Sequence, residues 1–403
     1  MVPSAETSST ASPKTIQVAQ PQQKNVLADM LRNLGMASGR PLGSVIGDFA
    51  KASIGPGKLS FDEYVGLCLY DTRRYAGTDI RSFAGLAAMQ KIWRRANYRT
   101  EFHGLITNKI AVTAFLEASG LPIVPIEALY SATAGYATPR SLHTKSALKE
   151  YLETAAHYPL FGKPMEGFQS LGSASFSGCD TQKSTLVDAR GAEKSLDTYV
   201  DEIATHYANG YIFQKRVSPH TATKAICGDR LSTVRVVTIL TDAGPKILCV
   251  CEKLPAGGNV ADNYWRSGNL LVQLDPATGV RGYATSGKGF ELREHSHHPD
   301  TGVAIRGTAV PNWNAVCDVA LEASRLLKDA PLMGWDIAPV ESGAIIVDAN
   351  DTPDFMLPQL ADRKGILGPE LEVFLARCRL SERAWKRDLR RYNLEQYRAS
   401  FWN

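Results

Sequence analysis

The 403-residue sequence has no run of about 18 apolar residues, which is roughly the length that a membrane-spanning helix requires. No apolar stretch of signal-peptide length stands near its beginning. Its seven cysteines are odd in number and include no C-x-x-C pair, so nothing indicates a disulfide framework. These absences favour a protein of a reducing, cytoplasmic compartment with no transmembrane segment.

The sequence also lacks a strong charge imbalance. Its formal net charge is +4 and its pI is about 8.6. This mildly basic balance gives no indication of a nucleic-acid partner, but it suits polyanionic ligands such as nucleotides. Because 44% of the residues are hydrophobic, we expect a sizeable core, and the length predicts two or three domains.

The order of local patterns predicts a mixed architecture. Residues 1–24 are rich in Ser, Thr, Ala, Pro and Gln and have too few apolar residues to offset ordering entropy, so we expect a disordered tail. Residues 25–100 follow helical spacing, and Ser60 to Glu63 resembles a capping box at a helix start. The second half is rich in antiparallel strand patterns, which predicts an α+β chain without regular βαβα alternation.

The most informative pattern is a predicted hairpin. Two apolar, strand-like runs, 334–338 and 345–350, flank a turn and carry acidic residues. Paired as a hairpin, they would place Asp336, Asp348 and Asn350 on one face, because residues two apart in a strand point the same way. Three converging oxygen ligands suit Mg²⁺, which also binds substrate phosphates. The pattern predicts a nucleotide site in an enzyme; the alternative is a hairpin with solvated acidic tips.

Basic residues at the ends of strands and helices are the candidate phosphate ligands. Lys163 ends a strand before a Gly/Ser-rich loop, 167–178, whose backbone N–H groups could approach phosphate oxygens. Lys109 opens a helix. Arg235 and Lys253 lie in neighbouring apolar strands, where charged residues are seldom buried without a partner. The alternatives are a surface lysine beside a flexible loop for Lys163 and a structural ion pair for Arg235.

Two polar loops carry weaker indications. Residues 262–268 would line an acceptor or phosphate site, or else form a polar turn. His295, His297 and His298 invite a metal interpretation, but their spacing fits no strong zinc pattern. We expect a substrate-facing loop there instead.

The C-terminal stretch 383–398 is basic and predicted to be helical. It places Trp385, Leu389 and Tyr392 on one face with many Arg and Lys residues opposite. We expect this face to pack on the body of the protein. Docking to an anionic membrane surface or to a sugar-transfer partner is the alternative.

In order along the chain, these segments resemble the ATP-grasp superfamily over roughly residues 100–370. Within it the chain is most similar to the sugar-transfer-associated ATP-grasp group, which is related to alpha-L-glutamate ligases. The segments that carry the resemblance are Asn108-Lys109 before a helix; Gly162-Lys163-Pro164 before the Gly/Ser loop; 211–217 as the adenine linker; Arg235 and Lys253 on neighbouring strands; Asp336 with Asp348 and Asn350; and the stretches 228–235, 261–268, 298–302 with 311–313, and 334–336.

The resemblance implies the α+β ATP-grasp fold, in which two α+β subdomains hold ATP between them, preceded by a helical N-terminal region. The expected order is a disordered tail at 1–24, the helical region at 25–100, the ATP-grasp domain at 101–370 and C-terminal helices at 371–403. Within the ATP-grasp domain, a flexible lid subdomain would span about 140–215.

The resemblance also implies a set of ligands and site residues. The cofactors would be ATP and one or two Mg²⁺ ions, with Asp336, Asp348 and Asn350 as metal ligands. The family usually has Glu where this chain has Asp348, which keeps the charge but is one methylene shorter. Arg235 and Lys253 would stabilise the transferring phosphoryl group and the tetrahedral oxyanion. The residues implied in nucleotide binding are Lys109, Lys163, Ser170, Gly172, Ser173, Gln214, Lys215 and Val217.

The activity that the resemblance implies is that of an ATP-dependent carboxylate–amine ligase. A small carboxylate would be activated as an acyl phosphate and trapped by an amine or amino acid, giving ADP and phosphate. This chemistry needs positioning and charge neutralisation more than a protein nucleophile. Saccharide or secondary-metabolite modification would be its context, by family analogy. A homodimer would match other members. A kinase on the same fold and a non-catalytic nucleotide-binding module stay open as alternatives.

Overall fold

The computed structural model describes residues 32–137, 139–165, 172–188, 191–259 and 261–402, with side chains as far as residue 393. The predicted disordered tail at 1–24 and the candidate residue Ser170 lie outside these residues. Among the described residues, no helix is both long enough and apolar enough to cross a membrane.

Helices and strands alternate irregularly along the described chain. The helices are α1 (32–38), α2 (Leu42–Ile54), α3 (Phe61–Gly66), α4 (Leu86–Ala96), α5 (Glu101–Thr107), α6 (Lys109–Ala118), α7 (Lys145–Glu150), α8 (Leu196–His206), α9 (Thr221–Cys227), α10 (Trp313–Leu326), α11 (Met356–Asp362) and α12 (Pro369–Trp402). The strands are β1 (Ala128–Tyr130), β2 (Arg140–Leu142), β3 (Leu160–Pro164), β4 (Ala174–Phe176), β5 (Gly178–Asp180), β6 (Thr185–Val187), β7 (Glu193–Ser195), β8 (Tyr211–Lys215), β9 (Thr233–Thr241), β10 (Gly244–Leu254), β11 (Leu270–Leu274), β12 (Arg281–Ser286), β13 (Arg293–His295), β14 (Leu332–Val340) and β15 (Gly343–Asn350).

A seven-stranded antiparallel sheet forms the larger body, in the order β13-β12-β11-β10-β9-β14-β15. Helix α10 covers one face, where Val316 and Ala320 share a buried apolar cluster with Trp335. Helices α4 and α12 cover part of the other face, around Ile239 and Leu332. Both faces of the central strands are therefore buried, which explains their nearly unbroken apolar runs. The charged residues within these runs must find partners inside the sheet.

A five-stranded sheet forms the smaller body, in the order β2-β1-β8-β3-β4, with β1 and β2 parallel and the other neighbours antiparallel. Its core is made with α7 and α8 around Leu148, Tyr199 and Phe213. A three-stranded antiparallel sheet, β5-β6-β7, lies next along the chain. The fold is thus α+β, as the strand patterns predict.

The predicted capping box is present at the start of α3. The Ser60 hydroxyl accepts a hydrogen bond from the Glu63 backbone N–H at 3.3 Å, and the Glu63 carboxylate accepts one from the Ser60 backbone N–H at 2.7 Å. This region packs on the large sheet, where Tyr64 and Leu67 share an apolar cluster with Leu271.

The C-terminal residues form the single helix α12, although the sequence predicts several helices there. No Gly or Pro follows Pro369 in this stretch, so nothing in the sequence interrupts the helix. Trp385 packs on the body beside Tyr98, as expected. The expectation is wrong for Leu389 and Tyr392, which are exposed because the helix has passed the end of the body.

Candidate functional site

The β14–β15 hairpin brings the three predicted metal ligands together. Asp336 is paired with Asp348, and Gly334 with Asn350, in an antiparallel register that has a bulge immediately after Asp336. Directly opposed residues project from the same face of a sheet. The neighbouring Trp335 points to α10, so Asp336 projects to the opposite face. The three side chains consequently line one cavity.

The cavity has a volume of about 490 Å³ and lies between the two larger sheets. Strand β3 of the small sheet contributes alternate residues to the cavity wall. Leu160 and Gly162 face the core, whereas Phe161 and Lys163 face the cavity. The predicted site residues that line it are Lys109, Lys163, Ser173, Gln214, Lys215, Val217, Arg235, Lys253, Asp336, Asp348 and Asn350.

Gly172 does not line the cavity. Its φ of +76° favours glycine, and a Cβ there would come within 2.2 Å of the Tyr207 hydroxyl. Its carbonyl oxygen accepts a hydrogen bond from the Tyr211 hydroxyl at 2.8 Å. The residue therefore allows close packing on two tyrosines, and direct nucleotide contact by Gly172 stays a prediction without support from its position.

Asp336 lies at the centre of a buried charge network. Its carboxylate accepts hydrogen bonds from Arg235 at 2.7 Å (Nε) and 3.0 Å (Nη2), and Lys253 Nζ lies 3.0 Å from the same group. Burial alone would raise the pKa of Asp336, but the two cations outweigh it and hold that pKa well below its usual range. The carboxylate therefore stays ionised, and the two basic side chains are fixed in orientation.

Asp348 holds the second set of lysines. Lys109 Nζ lies 3.0 Å and Lys163 Nζ 4.0 Å from its Oδ1 atom. Burial would raise the pKa of Asp348, but these ammonium groups lower it overall. Burial lowers the pKa of Lys163, and the charge of Asp348 opposes that change. Lys163 also donates a hydrogen bond to the Val347 carbonyl at 3.4 Å.

Lys109 owes its position to the start of α6. The Asn108 side chain caps this helix by accepting hydrogen bonds from the N–H groups of Ile110 and Ala111, each at 3.1 Å. The first residue of the helix is thus fixed at the cavity wall, across from the hairpin. Lys109 is the first residue of α6, as predicted, and this position allows its ammonium group to pair with Asp348.

Gln214 and the residues after it lie where β8 ends. The Gln214 side chain donates a hydrogen bond to the Val124 carbonyl at 2.9 Å, so this amide fixes the wall between the two sheets. Lys215 and Val217 line the cavity beside it. Arg216 also lines it and pairs with Asp229 at 2.5 Å, a contact that sequence reasoning missed.

Asp262 contributes more to the site than the sequence indicated. Its carboxylate accepts a hydrogen bond from the Thr233 hydroxyl, and its Oδ1 lies 3.8 Å from Lys253 Nζ. Burial raises the pKa of Asp262, although Lys253 opposes this effect. Trp265 lines the same part of the cavity and donates to Asp354 at 3.1 Å. Asp262, Asn263 and Trp265 thus contribute to the cavity wall, and this stretch is not merely a polar turn.

Ser175 is a cavity residue that sequence reasoning missed. It is buried, and its hydroxyl has no hydrogen-bond partner among the described residues. It pairs with Phe161 on β3 and lies two residues beyond Ser173, which directly precedes β4, and both serines line the cavity. Period-two alternation from Ser173 was the signal that could have found it.

The donor set at the hairpin fits a hard divalent cation. Two ionised carboxylates and one amide oxygen lie on one cavity wall, and such oxygens are the preferred ligands of Mg²⁺. In the described part of the chain, no cluster of three His, Cys, Asp or Glu side chains is arranged to hold a metal. Any cation here would therefore need Asn350 or a ligand outside the protein to complete its coordination.

The histidines that invited a metal interpretation instead make local hydrogen bonds. His295 contacts the Ser286 hydroxyl at 2.8 Å. His298 is buried and contacts the Pro255 carbonyl at 3.0 Å. None of the three histidines lines the cavity, so the expected substrate-facing role has no support from their position.

The combination of a two-sheet cavity, paired lysines and the acidic hairpin can be compared with known proteins. A family model described as sugar-transfer associated ATP-grasp matches residues 89–373, more than half of the chain. The chain belongs to the sugar-transfer associated ATP-grasp family. Membership confirms the predicted ATP-grasp fold and supports ATP binding. No curated protein matches this ATP-grasp chain.

Solved structures give distant matches. The D-alanine–D-alanine ligase from Coxiella burnetii is 12% identical, with a TM-score of 0.42, over 73% of this chain and 62% of that one. The VanG D-Ala:D-Ser ligase from Enterococcus faecalis is 12% identical, with a TM-score of 0.40, over 68% and 62%. A D-alanine–D-alanine ligase from Bacillus anthracis is 12% identical, with a TM-score of 0.39, over 70% of each chain. This ATP-grasp protein therefore spans less than two thirds of the first two ligases.

Proposed function

We propose that this protein is an ATP-dependent carboxylate–amine ligase that forms an acyl phosphate and releases ADP and phosphate. The observation that supports the proposal is a cavity in which basic side chains from both sheets surround two ionised carboxylates. A triphosphate and its metal need such a set, because cations neutralise the phosphate oxygens while carboxylates bind the metal.

In this proposal, Lys109 and Lys163 contact the phosphates with Ser173, and the backbone at 214–217 faces the adenine. Lys163 Nζ lies 4.0 Å from Asp348 Oδ1, so a phosphate oxygen held by this lysine would also be close to the proposed metal ligand. Residues of about 140–215 would form a lid subdomain that excludes water from the reactive acyl phosphate.

Asp336, Asp348 and Asn350 would hold Mg²⁺, which when bound supplies positive charge at the phosphates. The carboxyl groups of Asp336 and Asp348 are suited to this role, because both have lowered pKa values and are ionised at neutral pH. Asp348 also holds Lys109 beside the hairpin, so one side chain would orient both a lysine and the metal.

Arg235 and Lys253 would stabilise the transferring phosphoryl group and the oxyanion that forms when the amine attacks. Their distances of 2.7 Å and 3.0 Å from Asp336 mean that their charges are already oriented toward the cavity. Asp262, next to Lys253, suits a contact to the ammonium group of an amine or amino-acid substrate. The proposed context is saccharide or secondary-metabolite modification.

The test measures ADP and phosphate release from Mg-ATP with a panel of carboxylates, amino acids and sugar acids. We expect release that requires both a carboxylate and an amine. We expect Asp348→Ala to lower it by about 100-fold or more, because the variant removes a metal ligand and the partner of Lys109. The matched control is Asp242→Ala, which removes an exposed aspartate on the turn before β10 and should leave release unchanged.

The outcomes separate the candidate functions. Transfer of phosphate to a hydroxyl without free phosphate would make the protein a kinase. If the wild type and Asp348→Ala both bind nucleotide but neither turns over any substrate, the protein is a non-catalytic module and the proposal is contradicted. Equal loss of activity in the control would show that the aspartate effect is not specific to the cavity.

A further inference from the structure

The C-terminal part of α12 leaves the body of the protein. Trp385 makes the last described ring contact, with Tyr98 at 5.9 Å between ring centroids and with the Arg99 guanidinium 5.1 Å above its ring. The next eight residues, 386–393, are all exposed. Eight residues make more than two helical turns, so every side of the helix faces solvent in this stretch.

The basic charge of the protein is concentrated in this part of the helix. Residues 379–393 contain six Arg or Lys residues and two acidic residues, a net charge of +4, which equals the net charge of the whole chain. The rest of the chain therefore carries no net charge. A basic segment that projects from a nearly neutral body is suited to bind an anionic partner.

Apolar side chains accompany this charge. Leu389 and Tyr392 are 42% and 59% exposed, and their spacing of three residues places them on one face of the helix. Leu380 is also exposed, one turn before the helix leaves the body. A polyanion that offers only charge, such as a nucleic-acid backbone, would leave these side chains without an apolar environment.

A second copy of the same segment is also a poor partner. Two such helices would bring several positive charges together, and like charges destabilise an interface. An anionic lipid surface satisfies both properties, since its headgroups pair with Arg and Lys while the interfacial region accepts leucine and tyrosine side chains.

We propose that residues 379–393, the basic segment, dock this protein on an anionic membrane surface. The helix would lie along the interface with Leu389 and Tyr392 toward the acyl boundary and with the basic side chains among the headgroups. The inference is independent of the proposed ligase activity, since it uses neither the cavity nor its residues.

The test is sedimentation of the full-length chain with vesicles of equal parts phosphatidylserine and phosphatidylcholine, compared with phosphatidylcholine alone. We expect binding to the anionic vesicles only, weakening as salt is added because screening shortens the range of the attraction. Replacing Arg383, Lys386, Arg387 and Arg390 with Gln should weaken binding by about 100-fold or more. Glutamine preserves helix propensity, so the helix is retained.

A matched control removes the same charge elsewhere. Lys145, Lys149, Lys183 and Lys194 lie on the surface of the small body, and their replacement by Gln should leave vesicle binding nearly unchanged. A second variant, Leu389→Gln with Tyr392→Gln, should weaken binding by about tenfold with no change in net charge.

Three results would overturn the inference. The first is failure of the wild-type chain to sediment with anionic vesicles at low salt. The second is an equal loss in the lysine control, which would reduce the effect to net charge. The third is binding to duplex or single-stranded nucleic acid, measured by fluorescence anisotropy, without binding to vesicles. Thermal unfolding of the two α12 variants should be unchanged, because their substituted side chains are exposed.

Discussion

Two arginine–carboxylate pairs in the large sheet have the same chemistry and different surroundings. Arg235 pairs with Asp336, and both side chains are 11% exposed to the cavity. Arg281 pairs with Glu252 at 2.6 Å, and these side chains are 1% and 0% exposed. The first pair borders a space that can hold a ligand, whereas the second is enclosed.

The partners of each pair show what the difference means. Arg281 also donates to Thr308 Oγ1 at 3.1 Å and to the Ala309 carbonyl at 2.7 Å, and Glu252 accepts from Ser232 at 3.1 Å. The charged groups of the Arg281–Glu252 pair therefore have all their partners within the protein, and they join β10, β12 and the segment before α10. Arg235 shares Asp336 with Lys253, so two cations meet one carboxylate at a cavity wall. Saturated hydrogen bonding indicates a structural pair, and excess positive charge beside a cavity indicates a ligand site.

The largest expected effect is on stability, at the enclosed pair. Glu252→Gln leaves Arg281 buried without its counter-charge, so the free energy of unfolding should fall by about 3–5 kcal/mol. Urea denaturation measures this change. Glu322→Gln, at a surface pair with Arg325, is the control and should change it by less than about 0.5 kcal/mol. A small effect of Glu252→Gln would remove the distinction between the two pairs.

The next effect is on turnover, at the cavity pair. Asp336→Asn removes the charge that orients Arg235 and Lys253, so ADP release per folded molecule should fall by about 100- to 1,000-fold. Its effect on the free energy of unfolding should be smaller than that of Glu252→Gln, because the cavity leaves this pair in partial contact with water. Similar turnover losses in both variants, after correction for the folded fraction, would break the comparison.

The smallest effect is a pH dependence from a third buried carboxyl group, Asp362. Burial raises its pKa from the ordinary value of 3.8 to about 7, only partly opposed by Lys364. A carboxyl whose pKa is higher in the folded chain contributes stability that is fully present below the unfolded pKa and lost as pH rises through about 7. Asp362 thus behaves in the opposite way to Asp336, which has cations close enough to lower its pKa.

Asp362→Asn should therefore gain stability relative to wild type as pH rises from about 5 to about 8, by about 1–2 kcal/mol. Thermal or urea unfolding at several pH values measures the difference. A difference that shrinks with rising pH would contradict the assigned direction of the pKa shift.

Local patterns in the sequence predicted the parts of the site that depend on one or two neighbouring elements. Period-two alternation placed Asp348 and Asn350 on one strand face, and pairing across one turn added Asp336. The Asn108 cap likewise fixed the start of α6 and with it Lys109. These features follow from short-range geometry, so they can be read from adjacent residues.

The contacts that Asp262 makes with Thr233 and Lys253 could not be predicted in this way. Asp262 lies in a loop whose shape depends on buried Asn269, which accepts from the Ala256 N–H and donates to the carbonyls of Ala261 and Asn263. The Glu252–Arg281 pair is similar, because its members are 29 residues apart and meet only through the register of three strands. Neither arrangement has a periodic signal.

The sequence by itself determined the α+β class, the acidic hairpin, the basic residues at the ends of strands and helices, and the basic character of the last helix. Each depends on alternation, capping or composition over a few residues. Tertiary structure decided which charges meet: Lys109 and Lys163 reach one aspartate from different elements, and α12 ends its contact with the body at Trp385. Long-range pairing depends on sheet register and on where packing stops, and neither property is encoded in any single segment.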